Sequence, residues 1–597
     1  MCGIFGFVLN RPLTPADIEQ GRRGTRMLVH RGPDGDGEWS DADLGVYLGH
    51  RRLAIIDLSP ENAQPMAAGN NVMTYNGELY NFEELRVELE DRGERFATSG
   101  DTEVLLKAWT VWGEKALDRF DGMFAFGLFD GQHLHLVTDP FGEKPLYWAK
   151  DDEGVYFASE AQVLVDLLKL RFAPTADETA SFISLGFMPI PGTGFERLHV
   201  VPPATHLIVG ASGPRSCRRY WRPPPASPGR GRVEPLTTAE LDRLNETLFV
   251  SLRRRVRADV PVGLFLSSGI DSVLTAAIVT KDLGLDLQAF TVSYPDGQDE
   301  SQAAARVADF LGLPHRLIDS REDDSWREAS SVVVNLLGVP SDNLTAMSVQ
   351  QMSARARRHI TVALSGIGGD EIFYGYNKHA FLYRHRKLYR LMPPLMNATR
   401  WLDPLIGHIH RWRIAARLFR GDRAWQFLSL KNDGLGELLA KIPGAPGWAR
   451  NLLPETGSDL AYRVRDFDLN VALPGFYIPA FERGSMRASL EVRTPFLSRR
   501  LVEDVAEMDQ RAFLAFGRKG VLRRILHRYV PKEILETAKR GFVFPAGRYL
   551  DARSGTAPAI RGVPAAIADE VWRNRRDGGY RSLAVRLSVL EAFQAAR

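Results

Sequence analysis

The stretch RPPPASPGRGRVEP, Arg222 to Pro235, most constrains the architecture, because it divides the chain into two halves of different texture. Proline and glycine deny it the hydrogen bonds and backbone order of helix or strand, so it reads as a linker. Before it, short apolar runs (GIFGFVL, VYLGHRRLAIID, MFAFGLFD, HLHLVTD, GVYFASE) are broken by turns, and helical patterns begin near Phe82 and at Asp101. That texture predicts antiparallel sheets with helices packed on them, an α+β domain. After it, a helical pattern from Thr238 to Arg257 leads into VPVGLFL, a Ser/Gly turn and the helical SVLTAAIVTKDLG. The strand QAFTVSY, a helix through Ala303 to Leu311 and the strand TVALSG follow. Strands alternating with helices predict a parallel, doubly wound α/β sheet. No internal repeat is present.

At 597 residues the chain exceeds what one hydrophobic core supports. A net charge of +3 gives no field suited to a polyanion, so no nucleic-acid partner is expected. Two cysteines, Cys2 and Cys217, are too few for a disulfide framework and fit a reducing cytoplasm. The opening MCGIFGFVLN has neither a basic leader nor a long apolar core, and no apolar run is long enough to span a bilayer. Residues 379–425 carry ten Lys/Arg against two Asp, interleaved with Leu, Trp and Tyr. They read either as a helical subdomain with a solvated basic face or as a docking surface for an acidic or membrane-associated substrate.

Cys2 is the first residue with chemical potential. Removal of the initiator methionine would leave a thiol, pKa about 8.5, and an α-amine, pKa about 8, on one residue, so the nucleophile carries its own base. Five further segments follow in order: HRGPDGDG from His30, HRRLAIID from His50, YNGELYN from Tyr75, SGDTEVL from Ser99 and FDGMFAFGLFD from Phe120. With the segment Asp139 to Glu160, this set resembles the class II glutamine amidotransferases, whose fold is the αββα N-terminal nucleophile hydrolase sandwich. The resemblance implies that Cys2 is the nucleophile and that Asn76 and Gly77 form the oxyanion hole. It also implies that Arg52 pairs with the glutamine carboxylate, while Asn76, Glu78 and Asp101 help to hold the rest of glutamine.

In the second half, VPVGLFL ends in LSSGIDSV, Leu266 to Val273. A strand, a Ser/Gly turn and a helix start present backbone N–H groups and a helix dipole to an anion. The segment resembles the pyrophosphate loop of ATP pyrophosphatases, with Ser268 in place of a usual glycine. TVALSGIGGDEIFYGY (from Thr361), RGSMRASLEVRTPFLSRRLVE (from Arg483), GRKGVLRRIL (from Gly517) and KRGF (Lys539 to Phe542) resemble successive segments of glutamine-hydrolysing asparagine synthetases. The resemblance implies ATP and Mg²⁺ as cofactors. Leu266, Ser267, Ser268, Gly269, Asp271, Ser272, Ser293, Ser365, Gly366 and Lys519 would bind ATP, and Asp271 and Asp370 the metal. It divides the chain into a glutaminase domain (1–215), a linker (216–237) and a synthetase domain (238–597). A homodimer is expected on the same ground.

One position departs from the pattern. SGIGGDE carries Ile367 where the family has an acid, the proposed base for ammonia attack. Glu371, four residues on, is a candidate substitute. The resemblance implies that glutamine-derived ammonia attacks an adenylated carboxylate, and four readings of that step stay open. The acceptor is aspartate, giving asparagine; or another carboxylate, such as a uronic acid of a surface polysaccharide or a natural-product acid. The third is an intramolecular amide-forming synthetase, and the fourth a non-catalytic glutamine- and ATP-binding paralogue.

Overall fold

The first strand, Gly3–Leu9, is buried along its whole length because both of its faces are covered. Alternation along a strand sends neighbouring side chains to opposite faces. Accordingly Ile4 and Val8 join an apolar layer with Ala125, Phe129 and Phe157, while Phe5 and Phe7 pack the other way, against Tyr47 and Leu164. In this computed structural model the described residues are 2–226, 229, 231–293, 300–319, 334–398, 427–428, 431–432, 435–445, 453, 459–535, 550 and 555–596.

Two six-stranded antiparallel sheets form the N-terminal half. Gly3–Leu9 lies in one sheet between Val46–Arg52 and Gly154–Ala158. The other sheet centres on Gly122–Phe129, with Asn71–Leu79 on one side and Leu134–Thr138 on the other. Helices Pro15–Arg26 and Ala161–Leu168 cover the first sheet, and Asp101–Trp112, packed on Phe82–Glu90, covers the second. The result is a helix–sheet–sheet–helix sandwich.

The last strand of the second sheet, Gly213–Arg219, runs four residues past the expected domain end at 215. Ser216–Arg219 therefore pair with Thr205–Ile208 and are sheet, not linker. Residues 214–218 are exposed, so no apolar alternation marks the strand.

The second half opens with the helix Thr238–Arg255, started by a capping box between Thr237 and Glu240. It leads into a five-stranded all-parallel sheet ordered His315–Asp319, Gln288–Ser293, Val262–Phe265, Val362–Leu364, Glu491–Arg493. The chain enters at the centre and winds outward in both directions, which opens a crevice beyond the carboxyl ends of Val262–Phe265 and Val362–Leu364.

The halves are stitched together by polar contacts. Arg254 reaches Glu84 at 2.9 Å and Asp121 at 2.6 Å, Trp221 Nε1 donates to Glu503 at 3.1 Å, and Ser489 Oγ donates to the His30 carbonyl at 2.7 Å. No helix among the described residues is long and apolar enough to cross a membrane. Of the basic segment 379–425, the part up to 398 is described and helical, with Leu388 and Leu391 exposed. Its remainder and KRGF (539–542) lie outside the described residues.

Candidate active site

Cys2 sits at the head of the Gly3–Leu9 strand and is buried. Its backbone N–H donates to Asn76 Oδ1 at 2.9 Å, and its carbonyl accepts from Arg31 Nε at 3.1 Å. Burial pushes the thiol pKa up, so the group is a thiol rather than a thiolate at neutral pH. Asn76 is buried, and its Nδ2 has no hydrogen-bond partner among the described residues. Such an orphaned amide costs about 1–3 kcal/mol, which a bound acceptor would recover. Gly77 follows it, and a Cβ there would lie 2.2 Å from the Met123 carbonyl and 2.6 Å from Phe124 Cα. Only glycine lets these two strands close up behind Asn76.

The antiparallel register that pairs Gly3 with Arg51 brings Arg52 beside Cys2. Arg52 Nη1 donates to the Ser59 carbonyl at 2.8 Å, and Nη2 to that of Asp57. Neutral carbonyls hold the fork without cancelling its charge, and Arg52 forms no ion pair among the described residues. Asp101 opens the helix Asp101–Trp112, whose N-cap is Gly100. Its carboxylate accepts from Leu79 N at 2.8 Å and Tyr75 OH at 2.9 Å instead of capping the helix. Glu78 lies 3.5 Å from Arg493 of the other half. Burial pushes the pKa of both Glu78 and Asp101 up. His50 is neutral: burial, then Arg52, takes its pKa down to about 3.

The second cluster occupies the crevice of the parallel sheet. Leu266 N–H continues the ladder to the Phe290 carbonyl at 2.9 Å, and the chain then turns through Ser267–Gly269 into the helix Ile270–Lys281. Ser267 and Ser272 hydroxyls lie 2.8 Å apart, and Gly269 N–H donates to Ser267 Oγ at 3.1 Å. Ser268 Oγ donates to Glu300 at 3.0 Å. Ser365 N–H donates to the Arg493 carbonyl at 2.9 Å, and Gly366 backs onto Asp271. Ser293 ends the neighbouring strand and is half-buried.

Lys519 joins this cluster from a distant segment. Its ammonium contacts Asp271 and sits 2.6 Å from Asp370. The lysine takes a left-handed backbone conformation, φ +52°, to do so. Gly375 makes room: a Cβ there would stand 1.9 Å from Asp370 Oδ1 and 2.2 Å from Lys519 Cε. The convergence of two carboxylates, hard oxygen donors, fits a divalent cation such as Mg²⁺.

Two further features come from the structure: the surroundings of Glu371, which the sequence names as a candidate, and a pair that the sequence reading misses. Glu371 is buried, accepts from Tyr376 OH, and has its pKa pushed up to about 7 by burial and then by Asp370. Ile367, by contrast, packs against the main apolar core of the synthetase half. The second is the pair Glu491 and Arg493, which ends at Glu78; an acid and a base alternating in a short apolar strand was the available signal.

Between the halves lies a cavity of about 50 Å³, lined among others by Lys144, Tyr147, Met188, Pro474, Ile478 and Arg483. Glu482, also on its wall, pairs with Arg31, which holds the Cys2 carbonyl.

Fold and geometry thus define a class: an N-terminal nucleophile sandwich fused to an α/β nucleotide-type sheet. Residues 1–221 match the glutamine amidotransferase domain family and residues 243–556 the asparagine synthase family. Glutamine-hydrolysing asparagine synthetase 1 of Bacillus subtilis is 30% identical over 585 residues, covering 92% of this chain and 88% of its own. A putative glutamine-hydrolysing asparagine synthetase of Mycobacterium tuberculosis H37Rv is 30% identical over 589 residues, covering 92% of this chain and 89% of its own. The chain belongs to the asparagine synthase family, as a glutamine-dependent amidotransferase and ATP-dependent carbon–nitrogen ligase.

Proposed function

We propose that the chain takes ammonia from glutamine at Cys2 and joins it to an adenylated carboxylate, aspartate in the first instance, giving asparagine, AMP and pyrophosphate. The orphaned Asn76 Nδ2 beside Cys2 carries this reading. Cys2 Sγ adds to the carboxamide carbon, its proton passing to the α-amine that methionine removal exposes. The oxyanion accepts from Asn76 Nδ2 and the Gly77 N–H, donors that act only once charge develops. Arg52 takes the α-carboxylate of glutamine, and Glu78 and Asp101 its α-ammonium.

At the other site, Ser267–Ser272 cradle the departing pyrophosphate at the start of the helix Ile270–Lys281. Leu266, Ser293, Ser365 and Gly366 flank the nucleotide, and Lys519 meets the phosphates. Mg²⁺, held by Asp271 and Asp370, would neutralise triphosphate charge. This reading requires internal transfer of ammonia between the halves, because escape to water would end in protonation.

Ile367 favours a second reading, in which the acceptor is a different carboxylate such as a sugar acid. An isoleucine packed into the core cannot take the proton that ammonia loses. Acceptor-dependent pyrophosphate release with aspartate, in the wild type and in Ile367→Glu, separates the two. Aspartate-dependent release in the wild type supports the first reading. Release that appears only in the variant, or with a sugar acid, supports the second.

A further inference from the structure

Arg493 belongs to the synthetase half yet is built into the glutamine pocket. It is fully buried, and its guanidinium is held on two sides. Nε donates to Glu491 at 2.6 Å, and Nη1 donates to the carbonyls of Arg255 at 2.8 Å and Arg257 at 2.6 Å. Nη2 faces Glu78 Oε2 at 3.5 Å, and neither of these two buried atoms has a hydrogen-bond partner among the described residues. The same residue's carbonyl accepts from Ser365 N–H at 2.9 Å, at the end of the nucleotide-side strand.

The surroundings of Glu78 oppose its charge. Tyr75 on its own strand, Cys2 at the head of the first strand, Asp101 from its helix, and Glu491 and Arg493 from the parallel sheet all face it. Burial comes first, then Glu491, in pushing the carboxyl towards its neutral form, and Arg493 opposes both. A neutral Glu78 cannot pair with an ammonium. Arg493 is the one cation in this set whose charge does not depend on pH in the physiological range.

We propose that Arg493 is a positioning residue of the glutamine site, holding the Glu78 carboxylate ionised and aimed at the substrate's α-ammonium. The glutaminase pocket is then completed by a side chain of the synthetase half. This rests on the glutamine-binding reading of Glu78 given above.

The test uses the full chain and follows glutamate release against glutamine concentration between pH 6 and 9, in the wild type, Arg493→Gln and Arg493→Lys. Arg493→Gln should raise KM for glutamine at least about tenfold at pH 7, with kcat little changed. The KM should fall again as rising pH ionises Glu78, and Arg493→Lys should restore part of the affinity. If Arg493→Gln does not fold, as judged by thermal melting, Arg493→Lys carries the test with a smaller rise in KM. The double variant Glu78→Gln/Arg493→Lys should then lose no more affinity than Glu78→Gln alone. An unchanged KM and pH profile in folded variants, or fully additive losses, overturns the proposal. A wild type that does not hydrolyse glutamine overturns the function reading instead.

Discussion

The backbone N–H of Cys2 donates to Oδ1 of Asn76 at 2.9 Å, and this bond fixes the amide so that Nδ2 is left over as a buried donor. If that donor serves the oxyanion, Asn76→Ala should lower kcat for glutamate release by about 10²–10³, with KM changed only a few-fold. Steady-state kinetics at neutral pH would show it. Equal losses in KM and none in kcat would make Asn76 a binding group only.

Cys2→Ala should abolish glutamate release while leaving amide formation from added ammonium salts within about twofold. The two activities are measured on one preparation. Loss of both would contradict two separate sites.

Gly375→Ala should act on the other site alone. The added Cβ meets Asp370 and Lys519 at 1.9 Å and 2.2 Å, so the ammonium cannot keep both carboxylates. Pyrophosphate release should fall by at least about tenfold, the scale of breaking a buried charge pair. Glutamine hydrolysis should stay within about twofold of wild type.

Glu371 predicts a pH dependence of stability. Its folded pKa, about 7, lies above the ordinary 4.5, so the neutral carboxyl is the form the fold accepts. Stability from this group is full below the ordinary value and is lost as pH rises through about 7. Relative to Glu371→Gln, the wild type should lose about 2 kcal/mol between pH 5.5 and 8.5. Urea unfolding of both proteins measures the difference, and parallel curves would contradict the assignment.

Both architectures were legible because hydrophobic period survives in sequence. GIFGFVL and GMFAFGLF are buried strands with both faces covered, and the strand–helix alternation after Thr238 gives the parallel sheet. Gly213–Arg219 escaped at its end because an exposed edge strand carries arginines where apolar alternation would reveal it. Local motifs pointed to Cys2, Asn76 and the Ser267–Ser272 turn, since those residues lie close in sequence to the backbone that shapes them. The motif GRKGVLRRIL named Lys519, but its carboxylate partners were not legible, and nothing local named Arg493. Each reaches its partners, Glu78 in one case, Asp271 and Asp370 in the other, across a hundred or more residues, through packing that no local pattern encodes.

The measurement that bears most directly on nitrogen transfer supplies glutamine labelled with ¹⁵N at the amide, together with ATP, Mg²⁺ and aspartate, to protein with a free Cys2 amino terminus. The predicted result is ¹⁵N-labelled asparagine formed in step with glutamate, AMP and pyrophosphate, and absent from Cys2→Ala. Glutamate released with no labelled amide product and no pyrophosphate, with aspartate or any sugar acid offered in its place, would contradict the account.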